Sequence, residues 1–120
     1  MSSYSSLPHK SFRFTHILYT KSRHTATITI NRPEVHNCLN LQTLQELGAA
    51  FQDAAWDDRV AVVVITGAGD KAFCTGADLK EWHRDFLPKP NDFYMWMGVF
   101  GETFERLRTI CKPTIARLNG

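Results

Sequence analysis

The chain has 120 residues, of which 43% are hydrophobic and 22% are charged, and its formal net charge is +2. This length suits at most one small domain, and the composition is typical of a soluble globular protein. The small and scattered positive charge excludes the broad basic surface of a nucleic-acid-binding protein, and no apolar run approaches the roughly 20 residues that a membrane span needs.

The N-terminal part of the chain is predicted to be a tail followed by a β-hairpin. Residues 1–11 have no apolar core, which predicts a disordered tail rather than a secretory signal. Residues 12–19 and 26–30 are predicted strands, because apolar residues alternate with threonines in the second of them. Residues 20–24 would form the connection between the two strands.

The next segment predicts a loop, a helix and a buried strand. Pro33 stops the second strand, and residues 34–39 are predicted to form an ordered loop. Asn40 is a candidate N-cap for an amphipathic helix over residues 41–55. The continuous apolar run at residues 60–65 is typical of a strand buried on both faces in a parallel sheet.

The last third of the chain predicts a turn, two helices and a final strand. Residues 76–82 are expected to form a turn that opens a short helix, and two prolines then mark a loop at residues 88–90. Apolar residues at helical spacing over residues 93–111 predict a long helix. Residues 114–118 are predicted to form one more strand, so that the fold class is α/β.

The three cysteines, Cys38, Cys74 and Cys111, are odd in number, and their spacing matches no zinc site. We interpret them as small apolar residues in a reduced, cytoplasmic setting, and we expect no metal. Cys74 alone flanks a glycine-containing turn that is a candidate functional site.

That candidate site covers residues 72–80, where a buried strand leads through a turn into a helix. The first turn of a helix has free backbone N–H groups and can stabilise an anion, including one that develops only in a transition state. Gly76 allows a sharp turn, and the small side chain of Ala77 leaves its N–H accessible. Packing alone also explains glycine and alanine at such a junction.

The ionisable residues near this turn have structural interpretations as well as catalytic ones. Asp78 could be a general base, but a helix cap is the favoured interpretation. His36 and His83 are candidate acid/base groups, yet neither has an assigned titratable partner, so we interpret both as non-catalytic. Lys80 and Glu81 are expected to be solvated helix residues.

Three segments together resemble the crotonase (enoyl-CoA hydratase/isomerase) superfamily. Residues 26–33 with 37–40 resemble its strand followed by "NRP" and "N-A-L-N". Residues 62–67 with 71–81 resemble its "G…AF-x-x-G-A-D-L-K-E" signature. Residues 112–120 resemble its "KP-x-IA-x-x-NG" segment, and the three segments stand in the order of the family.

The resemblance implies that residues 12–120 are the N-terminal half of a ClpP/crotonase-like domain, a spiral of strand-strand-helix turns that is incomplete in this chain. It also implies an acyl-CoA thioester as substrate, with coenzyme A as part of that substrate and no separate cofactor. The backbone N–H of Ala77 would be the first oxyanion-hole donor. The residues implied to line the ligand are Glu34, Val35, His36, Thr75, Gly76, Ala77, Asp78, Leu79 and Lys80.

The family also implies features that this chain lacks. The second oxyanion donor and the catalytic carboxylates are expected beyond Gly120, so we predict that the chain alone has little activity. Glu34 departs from the basic or small residue more usual after "NRP", which disfavours a phosphate contact there. The intact protein is expected to form a homotrimer or hexamer.

Two functions therefore stay open. The first is an enzyme that stabilises an enolate-like oxyanion, most simply a hydratase, although isomerases, thioester hydrolases and decarboxylases share these motifs. The alternative is a non-catalytic CoA-binding or assembly module, in which the aromatic helix over residues 93–111 would dock on a partner.

Overall fold

The computed structural model describes residues 12–120, and the predicted tail at 1–11 lies outside the described residues. The described residues form four strands and three α-helices, with a 3-10 turn at Pro33–Val35 and a π-turn at Trp82–Phe86. The strands and α-helices are β1 (Ile17–Ser22), β2 (Thr25–Ile30), α1 (Leu41–Trp56), β3 (Val62–Gly67), α2 (Leu79–Glu81), α3 (Pro90–Arg108) and β4 (Thr114–Arg117). The predicted mixture of helix and strand is confirmed.

The strands form one sheet in the order β1-β2-β3-β4. β1 and β2 are antiparallel, with Tyr19 opposite Ile28, whereas β2, β3 and β4 run parallel. The prediction for β1 was wrong at both ends, because the strand begins at Ile17 and continues to Ser22. The turn is short: Arg23 and His24 have φ angles of 50° and 69°, the left-handed pair that matches the twist of a tight hairpin.

The segment before β1 does not join the sheet because other contacts hold it. The rings of Phe12 and Phe14 pack on Tyr19, with centroid distances of 5.6 and 6.3 Å. The backbone N–H groups of Thr15 and His16 donate to the Glu46 carboxylate at 3.0 and 2.8 Å. These donors are therefore satisfied by a side chain rather than by a strand partner.

Helix α1 lies on one face of the sheet and forms the main core with it. The Asn40 side chain caps the helix by accepting from the N–H of Thr43 at 2.8 Å, so the predicted N-cap is confirmed. Leu44 and Phe51 are at most 1% exposed. The predicted helix extends one residue further, to Trp56.

Strand β3 was predicted at residues 60–65 and as buried on both faces. It lies two residues later, and Val63 and Ile65 are buried under the helices. Val62 and Val64 point to the other face and are only half-buried by the described residues. Full burial of both faces was therefore wrong for this part of the chain, because its helices cover a single face of the sheet.

Helix α3 packs against α1, and its aromatic stripe belongs to the core of this chain. Trp96 is 1% exposed, and the ring of Phe104 lies 6.4 Å from that of Phe51. Docking of this helix on a partner stays a prediction, and the helix also carries the exposed apolar residues Tyr94, Met95 and Met97. The predicted bounds were also wrong: Pro90 begins the helix, where a missing N–H is harmless, and Cys111 lies beyond its end with φ of 62°.

Strand β4 ends one residue earlier than predicted, and all four of its residues are exposed. No helix among residues 12–120 is long and apolar enough to cross a membrane.

Candidate functional site

The candidate site forms where two loops meet at the ends of β2 and β3. Asn37 is fully buried, and its Nδ2 donates to the carbonyls of Ala68 and Ala72 at 3.0 and 2.8 Å. Asn119 donates to Ala72 from the other side at 2.9 Å. A Cβ added at Gly67 would lie 2.5 Å from the carbonyl oxygen of Phe73. Only glycine fits this approach, so the loop after β3 is fixed against the loop after β2.

Ala77 lies in a short extended pairing that directs its N–H away from the neighbouring loop. Leu39 donates to the Gly76 carbonyl at 2.7 Å, and Asp78 donates to the Leu39 carbonyl at 2.9 Å. These two bonds use the groups on one side of the segment, so the N–H of Ala77 points to the opposite side. Within residues 12–120 this N–H has no hydrogen-bond acceptor. An unpaired backbone donor in a half-buried position is available to a ligand.

Gly76 makes this geometry possible. Its φ is 101°, a left-handed value that L side chains rarely adopt. The exposed Thr75 donates through Oγ1 to the His36 carbonyl at 3.2 Å, which joins the two predicted ligand-lining loops. The last two predicted lining residues, Leu79 and Lys80, are both exposed beside Ala77.

The predicted cap role of Asp78 is confirmed. Its Oδ1 accepts from the N–H of Glu81 at 3.1 Å, and its Oδ2 accepts from Arg32 Nη2 at 3.2 Å. Burial alone would raise the pKa of Asp78, but these hydrogen bonds and the positive charge of Arg32 outweigh it, so the pKa lies below its usual value. The carboxylate is thus ionised and already paired, which disfavours the role of a general base.

The short helix predicted here is confirmed, but the physical argument for anion binding changes. Helix α2 spans three residues and passes into the π-turn at Trp82–Phe86. Because Asp78 is the N-cap, Ala77 precedes the helix, and its N–H is not one of the free donors of the first turn. The availability of the Ala77 N–H therefore comes from its pairing with Leu39.

Glu81 was predicted to be solvated, and that prediction was wrong. Its Oε2 accepts from the N–H of Leu41 at 2.9 Å and from Trp96 Nε1 at 3.2 Å. The carboxylate therefore joins the start of α1 to α3 beneath the candidate site. Sequence reasoning had no signal for this contact, since Glu81 is 40 residues from Leu41.

A cavity of about 290 Å³ opens between the two loops. Two of the predicted ligand-lining residues, Glu34 and His36, line it, whereas Val35, Ala77 and the rest of the 75–80 segment do not. Lys71 also lines the cavity and was missed by sequence reasoning. A basic residue in the turn after a buried strand was the available signal. The full lining consists of Pro33, Glu34, His36, Asn37, Ala68, Gly69, Asp70, Lys71 and Ala72.

The cysteines and the second histidine stand apart from this chemistry. Cys38, Cys74 and Cys111 are free thiols. Burial raises the pKa of the Cys38 thiol, and the negative charge of Asp78 adds to that effect, so Cys38 stays protonated at neutral pH. His83 is exposed on the π-turn. No group of three His, Cys, Asp or Glu side chains in the described part of the chain could hold a metal ion.

Comparison with known proteins identifies the family. The family model described as enoyl-CoA hydratase/isomerase matches residues 20–120. The short-chain-enoyl-CoA hydratase of Clostridium acetobutylicum is 36% identical over 105 residues, which are 87% of this chain and 39% of that protein. The 6-oxocyclohex-1-ene-1-carbonyl-CoA hydrolase of Syntrophus aciditrophicus is 31% identical over 97 residues, which are 81% of this chain and 25% of that protein.

Solved structures agree with this match and confirm the crotonase-like fold. The enoyl-CoA hydratase of Bacillus anthracis superimposes with a TM-score of 0.81 at 32% identity, over 88% of this chain and 40% of that one. The chain thus spans about two fifths or less of the length of these relatives. As its motifs indicated, the chain belongs to the enoyl-CoA hydratase/isomerase family, of which it represents the N-terminal part.

Proposed function

We propose that this chain binds an acyl-CoA thioester and supplies the first oxyanion-hole donor of an acyl-CoA enzyme. The observation that carries the proposal is the N–H of Ala77, which is directed away from Leu39 and has no acceptor within residues 12–120. A thioester carbonyl oxygen placed there would accept this hydrogen bond. The bond would strengthen as the oxygen gains negative charge in an enolate-like state.

One donor of this kind lowers a barrier by roughly 3 kcal/mol in the best cases. Proton transfer needs a placed acid/base group as well. The two carboxylates closest to Ala77 along the chain, Asp78 and Glu81, are each engaged by donors of the protein itself. We therefore propose that the second donor and the acid/base groups come from another part of the protein. The 120-residue chain alone then binds ligand without turnover.

The CoA moiety would lie along the two loops that Thr75 and His36 join. Glu34, Val35 and His36 would form one side of this path. The segment 75–80, in which Thr75, Leu79 and Lys80 are exposed, would form the other. Lys71 adds a positive charge at the cavity between the loops, which favours a phosphate group of CoA there over one at Glu34. No cofactor beyond the CoA of the substrate is needed for this chemistry.

The reaction of the intact protein is most simply the addition of water to an enoyl-CoA. Relatives named as a hydratase and as a hydrolase both match this chain, so the chemistry within the family depends on residues other than those shared here. We further propose that the intact protein forms a trimer or hexamer in the cytoplasm. The three free thiols fit that reducing compartment.

A chromophoric ligand tests the central proposal. The CoA thioester of a 4-aminocinnamic acid absorbs at longer wavelength when its carbonyl accepts a hydrogen bond, so binding to this chain should move its absorbance to the red. Ala77→Val narrows access to the N–H and should reduce the shift, whereas Ala61→Val, at an exposed position before β3, should leave it unchanged. A bound ligand with an unshifted spectrum would show that no donor meets the carbonyl.

A second assay tests whether the 120-residue chain alone catalyses hydration. Butenoyl-CoA is added to the 120-residue chain, and the loss of the enoyl-thioester absorbance is followed. We expect binding and no hydration. Turnover by this chain would mean that an acid/base group lies within it, contrary to the proposal.

A further inference from the structure

The pairing that directs the N–H of Ala77 is small. It consists of a single bridge between Leu39 and Ala77 with two hydrogen bonds, outside the main sheet. Two short segments joined by so few bonds would change their mutual orientation readily unless side chains held them. The direction of the Ala77 N–H therefore depends on whatever fixes residues 37–40 against residues 76–78.

The Arg32 side chain spans this pairing from one segment to the other. Its Nη1 donates to the Cys38 carbonyl at 2.7 Å, and its Nη2 donates to Asp78 Oδ2 at 3.2 Å. Cys38 and Asp78 are the immediate neighbours of the two bridge residues. We infer that Arg32 is a positioning residue that fixes the direction of the Ala77 N–H, an inference that rests on the proposed function.

Both ends of this contact are themselves fixed. The N–H of Arg32 donates to Asn37 Oδ1 at 2.9 Å, and the N–H of Asn37 donates back to the Arg32 carbonyl at 2.9 Å. Asp78 is held by its cap bond to the N–H of Glu81. The Arg32 guanidinium therefore links a fixed backbone segment to a fixed carboxylate. This link holds Leu39 and Ala77 in one mutual orientation.

The chemistry of the site requires a guanidinium rather than any cation. Arginine is planar and presents several donors in a rigid fork, so that two of its nitrogens reach two acceptors at once. Lysine offers a flexible point charge and would satisfy one acceptor well. The side chains of Arg32 and Asp78 are 13% and 15% exposed, so solvent screens their ion pair little.

The test uses this chain with the chromophoric CoA thioester described above and measures two quantities. One is the dissociation constant, which reports on the whole CoA contact. The other is the red shift of the bound ligand, which reports on the hydrogen bond to its carbonyl. Arg32→Gln removes the charged fork, and Asp78→Asn removes the ionic partner but keeps an oxygen that can cap Glu81. Arg108→Gln removes the same charge from an exposed ion pair on α3 and is the matched control.

We expect Arg32→Gln and Asp78→Asn to reduce the red shift by at least half, and we expect Arg32→Gln to change the dissociation constant less than threefold. Arg32→Lys should give an intermediate shift, and Arg108→Gln should match the wild type. If Arg32→Gln does not fold, Asp78→Asn decides alone. A full shift in the folded variants would overturn the role of Arg32 and leave the proposed function intact. The absence of a shift in the wild type would overturn the proposed function itself.

Discussion

Replacement of Asn37 by alanine should destabilise the chain strongly, because its buried amide joins the two loops. The substitution removes the acceptor of the Arg32 N–H and one donor each from the carbonyls of Ala68 and Ala72. Ala72 keeps its bond from Asn119, so two backbone groups lose their side-chain partner. An orphaned buried group costs about 1–3 kcal/mol.

The backbone adds a second contribution to this loss. Asn37 has φ of 57°, a left-handed value that asparagine tolerates better than alanine, at a difference of about 1 kcal/mol. Two orphaned groups at about 1 kcal/mol each, together with about 1 kcal/mol for the left-handed backbone, give a loss of about 3 kcal/mol for Asn37→Ala. Asn37→Gly adopts the same φ without strain, so its loss of about 2–3 kcal/mol reflects the hydrogen bonds and the added freedom of the unfolded chain.

The measurement is urea unfolding followed by tryptophan fluorescence, since Trp96 lies in the core between α1 and α3. Gln45→Ala, at an exposed position on α1, serves as the control and should stay within about 0.5 kcal/mol of the wild type. If both Asn37 variants unfold within about 1 kcal/mol of the wild type, water satisfies the orphaned groups and the reasoning is wrong.

Two further predictions concern the same region. Gly67→Ala should lower the free energy of unfolding by about 2–3 kcal/mol, because the new Cβ meets the Phe73 carbonyl. Gly98→Ala on α3 meets nothing within 4 Å and should raise the free energy of unfolding by about 0.5–1 kcal/mol. Urea unfolding of both variants checks this pair, and equal effects would contradict it. The pKa of Asp78 is lowered from 3.8, so its ionised form stabilises the fold above pH 3.8, and this contribution is lost as pH falls through the lower pKa of the folded state. The free energies of unfolding of the wild type and Asp78→Asn, measured against pH, should therefore converge in acid. A constant difference between them below pH 3.8 would refute the pairing with Arg32.

Features with a local cause could be predicted from the sequence. The alternation of residues 25–30 identified β2, because a strand with one buried face repeats every two residues. Asn40 identified the start of α1, because a cap bonds an N–H only three residues away. The three motif segments, among them the one around Ala77, likewise identified the family, since the residues within each segment are close together along the chain.

Only the tertiary structure decided which groups around Ala77 are free and which are engaged. The roles of Arg32 and Glu81 depend on partners 46 and 40 residues away, and no periodicity in the sequence encodes such a contact. The predicted helix start in residues 76–82 suggested the free N–H groups of a first turn, yet Ala77 precedes the N-cap Asp78 and the pairing with Leu39 orients its N–H. Local sequence thus determined the elements and the family, whereas the direction of the candidate donor was decided by hydrogen bonds between loops that meet only when the chain folds.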